Sequence, residues 1–101
     1  MEVLTEEKTS VAKPQVVPPP MHDVIIFNDD YTPMEFVVRV IQRVFGKDEQ
    51  AATQIMLQVH VQGQGVCGQY PKDIAETKAA QVISLARENG YPLLAEAKAN
   101  R

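Results

Sequence analysis

Asn28, Asp29 and Asp30 stand in a row where the apolar run Val24-Ile25-Ile26-Phe27 stops, and His60 lies one helical turn after Met56. An amide oxygen, a carboxylate and a neutral imidazole nitrogen all accept hydrogen bonds, whereas a primary ammonium has three donors and no acceptor. Asn28, Asp30 and His60 together would therefore suit one cationic amine. Met34, Val37, Met56, Val59 and Leu93 could supply an apolar hollow beside it. An amine next to a large apolar side chain describes the first residue of a polypeptide. Each residue also has a plainer reading. Asn and Asp suit turns and the approach to a helix N-terminus. Methionine commonly fills gaps in a core. A histidine near a helix C-terminus commonly faces solvent and answers the dipole.

The elements that must position these groups can be read along the chain. Residues 23–28 predict a strand, β-branched and apolar. Thr32 and Glu35 form a T-x-x-E capping box, Pro33 suits the first helical position, and Tyr31 can staple onto Phe36. Met34, Val37, Val38, Ile41, Val44 and Phe45 fill one face of the helix that follows, and Gly46 ends it. A second helix is expected from Asp48, a suitable N-cap, to Gly63, with Ala52, Ile55, Met56 and Val59 inward. VCGQY at 66–70 reads as a short strand. Tyr70-Pro71 opens a third helix through Asn89, with Ile74, Ala75, Ala79, Val82, Ile83 and Ala86 inward, and Gly90 and Pro92 close it. Residues 93–99 alternate as a last strand. The order β-α-α-β-α-β predicts an α+β fold, a small three-stranded antiparallel sheet covered by three helices.

The 101 residues suffice for one domain. Residues 1–20 carry four of the seven prolines, several charges and no apolar periodicity, so they are expected to form a disordered extension before a core domain over 21–101. A net charge of −3 and the lack of a Lys/Arg run argue against a nucleic-acid partner. No apolar stretch is long enough to span a bilayer, and the first residues do not read as a secretory signal, which points to a cytoplasmic protein. The lone Cys67, between glycines and without a histidine close in sequence, reads as a buried structural thiol. Two carboxylates and one histidine do not define a metal site, so neither a metal nor another cofactor is expected, nor an enzyme.

Three motifs add a resemblance. NDDYTPMEFV at 28–37, ML-x-VH-x-QG at 56–63 and D-I-AETK at 73–78 resemble the ClpS adaptor family in order and spacing, over about residues 20–95. His22 and Pro71 depart from the common pattern. The resemblance implies an adaptor that binds N-degron substrates beginning with Leu, Phe, Tyr or Trp and hands them to a ClpA-type AAA+ unfoldase working with the ClpP peptidase. Carried over by position, it assigns Asn28, Asp30 and His60 to the substrate α-amino group and Asp29 to the substrate backbone. Met34 becomes a gate against β-branched side chains, with Thr32, Val37, Met56, Val59 and Leu93 lining the pocket. Tyr31, Asp73 and Lys78 would face the unfoldase N-domain, and the extension would be engaged during delivery. The competing expectation is a plain interaction module of the ribosomal-stalk C-terminal type, without an amine pocket.

Overall fold

The computed structural model describes residues 17–100. The expected extension over 1–20 lies mostly outside them; residues 17–20 are exposed and in no regular element. From Met21 the chain runs through β1 (Met21–Phe27), α1 (Met34–Phe45), α2 (Glu49–Gln62), β2 (Gln64–Pro71), α3 (Lys72–Glu88) and β3 (Leu94–Ala99). This is the β-α-α-β-α-β order read from the sequence.

The sheet is antiparallel with strand order β2-β1-β3. β1 is central, so Val24, Ile25 and Ile26 are all buried, as their unbroken apolar run requires. A register shift between Val24 and Ile25 marks a bulge opposite β2. α3 packs against all three strands, α2 lies on β2, and α1 rests on α2 and α3. One core joins Val24 and Ile26 to Ile41, Ala52, Val59, Cys67, Val82 and Leu93. β2 is longer than the VCGQY core suggested, because its glycines and glutamines carry little strand signal yet pair fully with β1. Of Ile74 and Ala75, both expected inward, Ala75 reaches the core and Ile74 is 48% exposed.

The start of α1 departs from expectation. Pro33 is extended and sits at the cap, so the helix begins one residue later, at Met34. The Pro33 carbonyl accepts from Phe36 N and Val37 N, and no side chain caps this end. Thr32 therefore forms no capping box with Glu35; its hydroxyl donates to Asp29. The staple is absent too, since Tyr31 is 78% exposed and Phe36 packs edge-on against Tyr91, 4.8 Å between centroids. The other caps follow the sequence. Asp48 accepts from Ala51 N at 2.8 Å, and Gly63 closes α2 in the left-handed region (φ 92°) that favours glycine.

Lys78 ties two helices together. Its Nζ donates to the Val44 carbonyl at 2.8 Å, in the last turn of α1, and sits 5.3 Å from the centre of the Tyr70 ring. A cation at a helix C-terminus satisfies an otherwise orphaned carbonyl and opposes the negative end of the dipole.

Candidate functional site

The corner between β1 and α1 is folded by one carboxylate. Asp29 Oδ1 accepts from Tyr31 N at 2.8 Å, Thr32 N at 2.7 Å and Thr32 Oγ1 at 2.9 Å, and Oδ2 lies 2.7 Å from the same hydroxyl. Aspartate makes this local turn readily because its short side chain reaches backbone donors two and three residues on. Burial pushes the Asp29 carboxyl upward, but the hydrogen bonds from the Thr32 hydroxyl, Thr32 N and Tyr31 N outweigh it and hold the group below its ordinary value. Asp29 is thus ionised, and its lone pairs serve its own loop.

A second tie brings α2 to this corner. Asn28 N donates to the Gly63 carbonyl at 2.9 Å, linking the end of β1 to the turn just after His60. The left-handed glycine turns the chain so that this carbonyl faces β1. Gly65, two residues on, lies so close to α2 that an added Cβ would stand 2.9 Å from a Val59 methyl. β2 can therefore press against the last turn of α2, the turn that carries Val59 and His60.

Between the corner and α2 lies a cavity of about 360 Å³, lined by residues 28–34 together with Val37, Met56, Val59 and His60. Its size is at the small end of the range for ligand sites, roughly 300–1,000 Å³, which suits one amino-acid residue rather than a long segment. Val37, Met56 and Val59 form its apolar wall, buried in the core cluster. Met34, 44% exposed, stands at its mouth. Asn28, Asp30 and His60 are exposed and line the same cavity, so an amide, a carboxylate and an imidazole border one apolar-walled space. This hollow can accept a donor-rich cation at its polar edge and a large apolar group within.

Not every expected residue is found there. Leu93 does not line the cavity; it is 2% exposed within the core, while its neighbour Leu94 faces outward. The alternation of Leu93, Ala95 and Ala97 against Glu96 and Lys98 turns Leu93 inward, but into the core rather than the cavity. Pro33, which sequence reasoning used only as a helix-start signal, lines the cavity. Tyr31 stands on the cavity rim, Asp73 is exposed in the first turn of α3, and Lys78 is half-buried and bonded as described.

Among the described residues, no group of three or more His, Cys, Asp or Glu gathers closely enough to hold a metal ion, and no helix is long and apolar enough to cross a membrane. Cys67 is buried and free, and burial pushes its thiol up to about 12, with the Lys47 charge opposing the shift.

Fold and cavity together define a small α+β domain with an acceptor-edged pocket between a strand end and two helices. The family model of the ATP-dependent Clp protease adaptor protein ClpS matches residues 17–96. The ATP-dependent Clp protease adapter protein ClpS of Albidiferax ferrireducens is 55% identical over 91 residues, spanning 90% of this chain and 72% of that protein. Among solved structures, ClpS2 of Agrobacterium tumefaciens bound to L-phenylalaninamide has a TM-score of 0.80 and 37% identity, covering 82% of this chain and all of that one. The chain belongs to the ClpS family, adaptors of the ATP-dependent Clp protease. The ribosomal-stalk alternative is not favoured by this membership.

Proposed function

We propose that this adaptor captures polypeptides by a free N-terminal ammonium and a large hydrophobic first side chain (Leu, Phe, Tyr or Trp), and delivers them to a ClpA-type AAA+ unfoldase coupled to ClpP in the cytoplasm. The observation that carries the reading is the meeting of Asn28, Asp30 and His60 at the edge of one apolar-walled cavity. L-phenylalaninamide, the ligand of the Agrobacterium relative, has the same two features: a free amine and an apolar ring.

In this reading the three acceptors take the three ammonium protons. Each hydrogen bond to a charged group contributes ~1.5–3 kcal/mol, and burying the side chain contributes ~1.5–3 kcal/mol. Less the cost of association, two or three such bonds leave affinity near micromolar, about −8 kcal/mol. That strength suits a carrier that must release its cargo. Val37, Met56, Val59 and Thr32 surround the side chain, and Met34 narrows the entrance against branching at Cβ. Asp29, already committed to the loop, serves the substrate backbone mainly by holding the corner in shape. Tyr31 and Asp73 present the unfoldase-facing surface, with Lys78 fixing the helix that carries it. Residues 1–20 act as the extension engaged during delivery. The reading requires neither a cofactor nor catalysis by the chain itself.

Titration calorimetry with peptides differing only at the first residue tests it. Peptides beginning with Leu, Phe, Tyr or Trp should bind, and their N-acetylated forms should not. Equal binding of free and acetylated peptides would remove the proposal.

A further inference from the structure

A larger hollow lies on the opposite side of α1, against α3. It measures about 460 Å³, and a neighbouring one of about 320 Å³ shares Arg43 and Leu85 with it. Phe36, Val40 and Leu85 give the groove an apolar floor, while Arg39 and Arg43, one helical turn apart on α1, stand exposed along its rim. Gln42 and Gln81 add neutral amide groups.

Among the described residues, no carboxylate lines either hollow. The whole chain carries a formal charge of −3, with thirteen acidic and ten basic side chains. The groove is thus locally cationic on an anionic protein. Two arginines at i and i+4 repel on a bare helix surface, and the pair is best accommodated when an anionic partner lies between the guanidinium groups. Guanidinium forks fit carboxylates in bidentate fashion, and the apolar floor favours a partner that also carries a hydrophobic side chain. A polyphosphate or nucleic-acid backbone would leave that floor uncovered.

We propose that the α1–α3 groove is a second binding site, for an acidic peptide segment of a partner protein in which carboxylates flank an apolar residue. The apolar side chain lies over Phe36 and Leu85, and its flanking carboxylates pair with Arg39 and Arg43. The site does not depend on the amine pocket, which lies on the other side of α1. Both sites can be filled at once.

The probe is an acetyl-Glu-Leu-Glu-Glu-Leu-amide peptide, whose blocked terminus denies it the amine pocket. Titrated into the isotope-labelled full chain, it should shift the backbone amides of residues 36–43 and 81–89 and leave those of 28–32 in place. The double variant Arg39→Glu/Arg43→Glu should weaken the peptide about tenfold or more, as expected when two part-exposed ion pairs become repulsive. Both positions are exposed, so the fold should survive, and a Phe-initiated peptide should bind that variant within about twofold of the parent. No shifts at millimolar peptide, shifts outside the groove, or an unchanged affinity in the double variant would overturn the proposal. Equal groove shifts from a single-stranded oligonucleotide of matched charge would overturn it as well, by making the groove a general polyanion site.

Discussion

Replacing Asp29 with Ala removes the acceptor that Tyr31 N, Thr32 N and the Thr32 hydroxyl share. Losing a side chain that serves backbone donors just ahead of a helix costs ~0.5–2 kcal/mol, typically ~1. For a domain of this size, 1 kcal/mol lowers the melting midpoint by about 4–8 °C. Binding should suffer as well, because Asn28 and Asp30 ride on the same corner. Re-ordering even one of its residues when substrate arrives costs ~1–2 kcal/mol, a fall in affinity of about five- to thirtyfold. Asp29→Asn should lie between, since an amide oxygen still reaches the backbone donors. The folded-state pKa of Asp29 lies below the ordinary 3.8, so the stability due to its charge is complete above the unfolded value and is lost as pH falls through the folded one. The stability gap between parent and Asn variant should therefore be constant near neutrality and close in strong acid. Urea midpoints across that range, with calorimetry of a Phe-initiated peptide, read both effects. An Ala variant with unchanged midpoint and unchanged affinity would refute the claim that this carboxylate builds the corner.

Other outcomes follow from the same geometry. Asp30→Ala and His60→Ala should each weaken all N-degron peptides alike, by about ten- to a hundredfold, because each removes an acceptor from the shared ammonium; a loss confined to one first residue would contradict this. Met34→Ala should open the cavity mouth and extend the accepted first residues to Ile and Val, read by fluorescence competition, and an unchanged set would refute its role as gate. Lys78→Met keeps the apolar stem but frees the Val44 carbonyl, so it should destabilise the fold by ~0.5–1.5 kcal/mol in urea. A Lys78 variant that loses unfoldase binding must therefore be compared with Asp73→Ala, which should weaken that contact at a stability cost of only the ~0.3–1 kcal/mol that a first-turn carboxylate contributes through the helix dipole.

How much was legible beforehand depends on which physics sets each feature. Periodicity and terminators placed α1, α2 and α3, because Ile41, Ala52 and Val82 occupy core positions that only a helical period lines up. Asp48 and Gly63 were readable because capping chemistry is local. The start of α1 departs from the T-x-x-E pattern because Pro33 stays extended and takes the cap position, which leaves Thr32 one residue outside the helix with its hydroxyl donating to Asp29. A hydroxyl can accept within a capping box or donate to an upstream carboxylate, and pattern alone does not choose between them. β2 extends beyond its VCGQY core because register with β1 is a long-range property. In the cavity, Met34, Val37, Met56, Val59 and His60 share a wall through helix spacing across two elements, which the sequence pattern captures. Leu93 is buried as its alternation with Ala95 and Ala97 against Glu96 and Lys98 implies, but alternation sets only the face, not whether that face reaches the cavity. Pro33 reads from sequence as backbone punctuation, and nothing in its type announces a cavity wall. The α1–α3 groove needed coordinates, since Arg39 and Leu85 are far apart in sequence.

The convergence of three acceptors on one ammonium is tested most directly by a structure of the full chain with a peptide beginning with free Phe. The account predicts the α-amino nitrogen within about 2.7–3.2 Å of the Asn28 side-chain oxygen, the Asp30 carboxylate and a His60 ring nitrogen, with the phenyl ring against Val37, Met56 and Val59. An amine left in solvent, or a peptide seated in the α1–α3 groove with this cavity empty, would contradict it.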